Sequence, residues 1–223
     1  GIPLVEDLGS GAMMNTDELA PIEHEPTPQE CLRRGIDLVI FSGDKLLGGP
    51  QSGIIGGDAG LIARIKKEPF FRAVRCDKLI LTTLQESIDQ YLETKADPTQ
   101  SDVPVLTFLR TDTEALKERA RAIIAALPGL EPQIEIADTL ARPGGGTMPR
   151  SEFPSVALKI TPGGQSIPKL AKKLRLGSPA IVGYTTDDAL FLDLRTVFPD
   201  TDQAVAGAIK AALSKPQKAP QFL

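Results

Sequence analysis

One lysine stands out in this sequence because of the residues that surround it. Lys45 lies in the run FSGDKLLGGPQSG (residues 41–53), between an apolar, strand-like segment and two glycines followed by a proline. Glycine and proline fix a tight turn of the backbone. A lysine in such a turn, partly shielded from water, condenses as a neutral amine with an aldehyde. The pattern therefore favours Schiff-base chemistry at Lys45.

Three further polar residues extend this candidate site. Asp7 ends a predicted strand, and a carboxylate there would hold the ring nitrogen of pyridoxal phosphate protonated, as an electron sink requires. Ser42 precedes Lys45 by three residues, and its hydroxyl can reach a phosphate oxygen. Asp44 fits two roles equally, since it can orient a substrate or stabilise the turn. Each signal alone is typical of an ordinary loop, and only the combination predicts a site.

The predicted elements place these residues at the ends of strands. Strands are predicted at residues 3–8, 36–42 and 53–57, and the helix between the first two begins with Thr27 as its cap. Strands that alternate with helices predict a parallel or mixed sheet covered by helices. A second α/β unit begins near Thr111, with a glycine-rich segment between its first two strands.

The composition excludes several classes of protein. Apolar residues make up 41% and charged residues 24% of the 223 residues, which is ordinary for a globular chain. The longest apolar runs are too short to span a membrane. Two cysteines and one histidine match neither a disulfide framework nor a usual zinc pattern. A net charge of −4 opposes nucleic-acid binding over the whole surface but allows a local basic patch. We expect a cytoplasmic protein without a membrane partner.

Several segments resemble the bacterial selenocysteine synthases, the L-seryl-tRNA(Sec) selenium transferases. EPTPQECLRRGIDLVIFSGDKLLGGPQSGIIGG (25–57) is similar to that family's cofactor-lysine region, and DLGSG (7–11) fits the same family. Two later stretches fit as well, FFRAVRCDKLILTTLQESIDQYL (70–92) and LRLGSPAIVGYTTDDALFLDLRTVFPD (174–200). The resemblance covers nearly the whole chain, and SGDKLLGGPQ is its most specific part.

The resemblance implies an α/β protein, a fold-type-I pyridoxal phosphate enzyme of the aspartate aminotransferase superfamily. Residues 1–105 would form the C-terminal part of its cofactor-binding large domain, and residues 106–223 its small C-terminal α/β domain. Lys45 would bind the cofactor covalently and Asp7 its ring nitrogen. Arg72 and Arg75 would bind the phosphate-bearing selenium donor. They are three positions apart and would share one face if this stretch is helical, where a solvated basic face is the more common outcome.

The implied reaction converts seryl-tRNA(Sec) to selenocysteyl-tRNA(Sec) through an aminoacrylyl intermediate, to which selenophosphate adds selenium. Members of the family assemble as ring-shaped homo-oligomers and have an N-terminal half that stacks on the cofactor and contacts the tRNA. The chain begins with glycine rather than methionine, and we expect it to be the interior of a longer protein, inactive alone. It departs from the family at Ser52, where alanine is usual, and at Tyr184, where arginine is usual.

Two alternatives stay open at this point. One is a related pyridoxal phosphate lyase that acts on a free amino acid or amino sugar, and the other is a catalytically inactive fragment or assembly module. Outside the site, Arg195 fits a structural ion pair better than a substrate ligand. His24 lies in a polar loop, where an exposed side chain is expected, and GGGTMPR (144–150) lacks the lysine and serine of a phosphate-binding loop.

Overall fold

In a computed structural model, which describes residues 1–96, 103–130, 133–144, 147–148, 151–186 and 188–214, the chain divides into two units. The first comprises Gly1–Arg110 and Arg142–Phe153, and the second Thr111–Ala141 and Pro154–Leu223. The segment Arg142–Phe153 follows the first strand of the second unit along the chain, yet it groups with the first unit.

A three-stranded sheet lies at the centre of the first unit. Its strands are β1 (Val5–Gly9), β2 (Leu38–Ser42) and β3 (Gly53–Gly57), in the order β1-β2-β3. β1 runs parallel to β2, whereas β3 runs antiparallel to it, so the sheet is mixed, as predicted. The helices of this unit are α1 (Thr16–Leu19), α2 (Pro28–Arg33), α3 (Ala59–Lys67), α4 (Phe71–Val74), α5 (Lys78–Ala96) and α6 (Pro104–Arg110).

Local signals account for the bounds of helix α2. The Thr27 hydroxyl accepts the N–H of Glu30, and the Glu30 carboxylate accepts the N–H of Thr27, which forms a complete capping box. Pro28 occupies the first turn, and Gly35 follows the end of the helix with a φ of +97°. This helix fixes the start of β2, because the two are joined by only a few residues.

Alternation along β2 buries one side of the sheet. Val39 and Phe41 belong to a core that also includes Leu47, Tyr91 and Leu106. Other apolar side chains of the first unit are exposed: Ile2, Leu4, Val5, Ile55, Phe70, Val74, Leu79, Leu81 and Leu92.

The second unit has its own sheet and core. Its helices are α7 (Thr113–Ala125), α8 (Ile167–Arg175) and α9 (Asp202–Leu213), and a short 3-10 helix spans Pro199–Thr201. The strands β4 (Ile134–Ala141), β5 (Phe153–Ile160), β6 (Tyr184–Thr185) and β7 (Leu190–Asp193) form a sheet in the order β4-β5-β7-β6. The fully buried residues of this core include Leu116, Val156, Leu158, Ile160, Leu170, Leu190, Leu194 and Ile209.

One arginine ties together the two ends of the second unit. Arg119 of α7 donates to both carboxylate oxygens of Asp202, at 2.9 and 2.7 Å, and to the carbonyls of Leu194 and Val197. The arginine is 15% and the aspartate 20% exposed. All of these acceptors lie beside the start of α9, so Arg119 anchors that helix to α7.

No helix among the described residues is long and apolar enough to cross a membrane.

Candidate active site

The parallel pairing of β1 and β2 brings Asp7 and Ser42 to the same edge of the sheet. Asp7 lies opposite Ile40 in the register, and Ser42, two residues further along β2, projects on the same side as Ile40. The carboxyl ends of parallel strands are where α/β sheets place their ligands. The Asp7 side chain is exposed, and its Oδ1 accepts the N–H of Gly9 at 3.0 Å.

The loop after Asp7 presses closely against the end of β2. Gly11 has a φ of +72°, and a Cβ placed there would lie 2.7 Å from the Ser42 carbonyl oxygen and 3.0 Å from Phe41 Cδ2. Only glycine tolerates both this conformation and this contact. The glycine at position 11 thus explains part of the DLGSG motif, because it lets the Asp7 loop touch the strand that leads to Lys45.

Lys45 lies in a turn that directly follows β2 and is closed by backbone hydrogen bonds. Gly48 N–H donates to the Lys45 carbonyl at 2.9 Å, and Gly49 N–H donates to the Gly43 carbonyl at 2.8 Å. Gly43 N–H in turn donates to the Ser52 carbonyl at 2.8 Å. The turn is therefore closed on itself and joined to the start of β3, which agrees with the tight backbone predicted from its glycines.

The Lys45 side chain is half-buried, and Asp44 beside it is exposed. Among the described residues, neither side chain takes part in an ion pair. The two leucines that follow Lys45 are buried and hold the turn against the core of the first unit. An amine that is partly desolvated and not paired with a carboxylate is suited to condense with a carbonyl compound.

Two residues that the sequence did not single out hold the turn from outside. The Leu46 N–H donates to the Ser10 carbonyl at 2.9 Å, and the Tyr91 hydroxyl donates to the Leu46 carbonyl at 3.0 Å. Ser10 belongs to the loop after Asp7, whereas Tyr91 lies on α5. The DLGSG motif was a signal for Ser10, but no local pattern marks Tyr91.

A polar network orders the connection between β1 and α2. The Ser10 hydroxyl donates to the Glu25 carboxylate, and the Thr16 hydroxyl donates to the Glu23 carbonyl at 2.6 Å. The Thr16 oxygen also accepts the Glu25 N–H at 2.8 Å. Ser10 and Thr16 are both buried, so their hydroxyls are satisfied within this network.

His24 is exposed, as predicted, but it is held between two carboxylates. Its Nδ1 lies 2.8 Å from Asp17 Oδ1, and its Nε2 lies 3.2 Å from Glu30 Oε2. The hydrogen bond to Asp17 raises the pKa of His24 above its ordinary value, with a smaller contribution from the Glu30 charge. The His24 ring therefore bridges α1 and α2, and both contacts favour its protonated form.

Arg72 and Arg75 would share one face only if both were helical, and Arg75 is not. Helix α4 ends at Val74, and Arg75 is extended, with φ −64° and ψ 136°. The reason is that Asp77 caps α5: its Oδ1 accepts the Ile80 N–H at 3.0 Å, so Arg75 lies in the joint between two helices. Both arginines are exposed, and no ion pair of either is found within the described part of the chain.

The candidates in the second unit have structural surroundings. Arg195 is buried and donates to the carbonyls of Thr111 and Pro154, both at 2.6 Å. These bonds support a structural role for Arg195, and their acceptors are backbone carbonyls rather than the carboxylate of the predicted ion pair. Tyr184 stacks on Phe191, with ring centroids 5.1 Å apart. The predicted GGGTMPR loop falls in part outside the described residues.

Comparisons with known proteins identify a family. The model of the family "SelA: L-seryl-tRNA selenium transferase" matches residues 1–198. The L-seryl-tRNA(Sec) selenium transferase of Aquifex aeolicus is 39% identical over 217 residues, covering 96% of this chain and 47% of the relative. That of Carboxydothermus hydrogenoformans is 40% identical and covers 90% of this chain and 42% of the relative.

A solved structure also resembles the chain. D-Glucosaminate-6-phosphate ammonia-lyase matches 95% of this chain and 49% of its own, with a TM-score of 0.57 and 18% identity, and this likeness confirms the predicted α/β fold of the fold-type-I class. The chain spans somewhat less than half the length of the curated relatives that it matches. The matched family model, which covers most of the sequence, confirms the resemblance seen in the sequence: this chain belongs to the L-seryl-tRNA(Sec) selenium transferase family.

Proposed function

We propose that this chain provides the cofactor-lysine portion of an enzyme that converts seryl-tRNA(Sec) to selenocysteyl-tRNA(Sec) with selenophosphate as selenium donor. The observation that carries the proposal is the hydrogen-bonded turn after β2, which places Lys45 just beyond the end of β2, while Asp7 lies on the adjacent parallel strand β1. The choice of seryl-tRNA(Sec) and selenophosphate as substrates rests on membership of the family.

The residues present fit pyridoxal phosphate. A carboxylate, a hydroxyl and a half-buried amine lie toward the same end of the parallel strand pair: Asp7 on β1, Ser42 as the last residue of β2 and Lys45 in the turn after it. Lys45 would hold the aldehyde carbon, Asp7 the ring nitrogen and Ser42 a phosphate oxygen. When bound, the cofactor supplies an electron sink for the substrate's α-carbon.

The side chains have distinct roles in this proposal. The Lys45 amine removes the proton from the α-carbon of the seryl group, because it is the base fixed at that edge. The Asp7 carboxylate keeps a proton on the ring nitrogen. Arg72 and Arg75 bind the anionic selenium donor through their forked guanidinium groups. Asp44 orients the substrate or stabilises the turn.

We further assign the first unit to the large domain and the second to the small domain of the fold-type-I architecture. The chain covers 42–47% of the first two relatives, so we infer that the active enzyme uses further polypeptide, which also provides most of the tRNA contacts. Exposed apolar side chains such as Val5, Ile55 and Phe70 support such additional packing, including that of a homo-oligomer. We place the reaction in the cytoplasm.

The experiment is a conversion assay with the purified protein in the longest form that its gene encodes. Seryl-tRNA(Sec), selenophosphate and pyridoxal phosphate are supplied, and selenocysteyl-tRNA is measured for the wild type, Lys45→Ala and the control Lys66→Ala, which changes an exposed lysine of α3. We expect the product with the wild type and Lys66→Ala and none with Lys45→Ala. Elimination from a free amino acid or amino sugar without use of selenophosphate would instead establish the lyase alternative.

A further inference from the structure

The residue that follows Lys45 is tied to the rest of the first unit at both of its backbone polar groups. The Leu46 N–H donates to the Ser10 carbonyl, and the Leu46 carbonyl accepts the Tyr91 hydroxyl at 3.0 Å. Tyr91 lies 45 positions further along the chain. Both bonds are therefore long-range, and they hold the two peptide groups of Leu46: Ser10 binds the Lys45–Leu46 peptide and Tyr91 binds the Leu46–Leu47 peptide.

The Tyr91 ring is in a position to hold that carbonyl rigidly. Tyr91 is 3% exposed and packs in the same core as Val39, Phe41 and Leu47. Because two of these are residues of β2 and the third belongs to the turn itself, the ring and the turn are supported by the same side chains. Burial raises the pKa of Tyr91 above its ordinary value, so the hydroxyl keeps its proton and remains a donor.

We propose that Tyr91 is a positioning residue for the Lys45 turn: its hydroxyl fixes the Leu46 peptide so that the Lys45 amine stays aligned with Asp7. The proposal rests on the proposed function, since it takes Lys45 as the cofactor lysine. The hydroxyl is the only part of the side chain that it needs, because the ring packs in the same way in phenylalanine.

The Tyr91 hydroxyl matters because a turn that carries a reacting group loses reaction rate when it becomes mobile. A side chain is aligned only as well as its own Cα is fixed, and displacements of about 1 Å at a site cost about 100-fold in rate. Without the Tyr91 hydroxyl, the buried Leu46 carbonyl has lost a donor, and the turn gains by moving toward water. The Ser10 bond then holds only the amide side of Leu46.

The test compares Tyr91→Phe with Thr82→Val in the longest form of the protein that the gene encodes. Thr82 is an exposed residue on the same helix, and its hydroxyl bonds only the Lys78 carbonyl of α5. Two quantities are measured: the dissociation constant of pyridoxal phosphate, and the pH midpoint at which the absorbance of the lysine-bound cofactor changes.

We expect Tyr91→Phe to raise the dissociation constant of pyridoxal phosphate about five- to tenfold, which corresponds to the loss of one buried hydrogen bond. We also expect the pH midpoint to move by about half a unit or more, because the lysine nitrogen is no longer held relative to Asp7. Thr82→Val should leave both unchanged. A Tyr91→Phe protein with wild-type values of both would overturn the inference alone. If the wild type itself forms no cofactor bond at Lys45, the proposed function fails and the inference with it.

If Tyr91→Phe does not fold, hydrogen exchange of the unaltered protein replaces it. The inference requires the Leu46 amide to be protected from exchange as strongly as the α5 amides around Tyr91, because the bond from Tyr91 to Leu46 makes the turn and α5 open together. Exchange of Leu46 at the rate of an exposed turn would overturn it.

Discussion

Replacing Gly11 by alanine tests whether close contact between the Asp7 loop and β2 holds the site together. Alanine at a φ of +72° is strained by about 1–2 kcal/mol. The new Cβ would also lie 2.7 Å from the Ser42 carbonyl oxygen, so that the loop or the strand end must move, at about 1–3 kcal/mol more. The free energy of unfolding of the first unit should therefore fall by about 2–5 kcal/mol.

Two other glycines separate the cost of backbone strain from the cost of the close contact. Gly129 has a φ of +83° but nothing within 4 Å of its virtual Cβ, so Gly129→Ala should lose only the strain, about 1–2 kcal/mol. Gly207 lies within α9, also without a neighbour, and Gly207→Ala should gain about 0.5–1 kcal/mol from helix propensity.

Urea unfolding, followed by circular dichroism, measures all three variants. Gly11→Ala should also weaken binding of pyridoxal phosphate, since the displaced loop directly follows β1, which carries Asp7, whereas Gly129→Ala should not. A loss for Gly11→Ala no greater than that for Gly129→Ala would refute the close contact.

Three smaller predictions concern stability. Thr27→Ala should cost about 1 kcal/mol through loss of the α2 capping box, whereas Ser166→Ala should cost less because the Ser166 side chain makes no capping bond; thermal unfolding compares them. Arg119→Met should cost about 3–5 kcal/mol in chemical unfolding because it leaves the partly buried Asp202 carboxylate and the Val197 carbonyl without their donor, and a loss under 1 kcal/mol would contradict this. Asp17 raises the pKa of His24, so the stabilisation of the fold by the protonated ring is full below about pH 6.5 and is lost as the pH rises through the raised pKa. NMR titration of His24 measures this pKa, and the free energy of unfolding of His24→Gln should depend less on pH.

Local chemistry made parts of the first unit predictable from sequence. Thr27 marks the start of α2 as its cap, and the apolar run that ends at Ser42 marks β2, because caps and strand patterns act between near neighbours. The position of Lys45 in a tight turn followed from its glycines in the same way. The fold class and the family were confirmed by the comparisons.

Long-range contacts were not predictable in this way. The bond from Tyr91 to Leu46 depends on how α5 packs against β2, and a single tyrosine in an amphipathic helix reads as an ordinary core residue. The end of α4 before Arg75 has a local cause, since Asp77 caps the next helix. The catalytic roles of Lys45 and its neighbours stay predictions, because they depend on a bound cofactor.

The most direct measurement of the central claim is the site of covalent attachment of the cofactor. The protein, in the longest form that its gene encodes, is incubated with pyridoxal phosphate, reduced with borohydride, digested and mapped by mass spectrometry, with Lys45→Arg as the control. The account predicts one dominant reduced adduct, on Lys45, which is lost in Lys45→Arg. Adducts scattered over exposed lysines such as Lys66 and Lys78, and unchanged in Lys45→Arg, would contradict it.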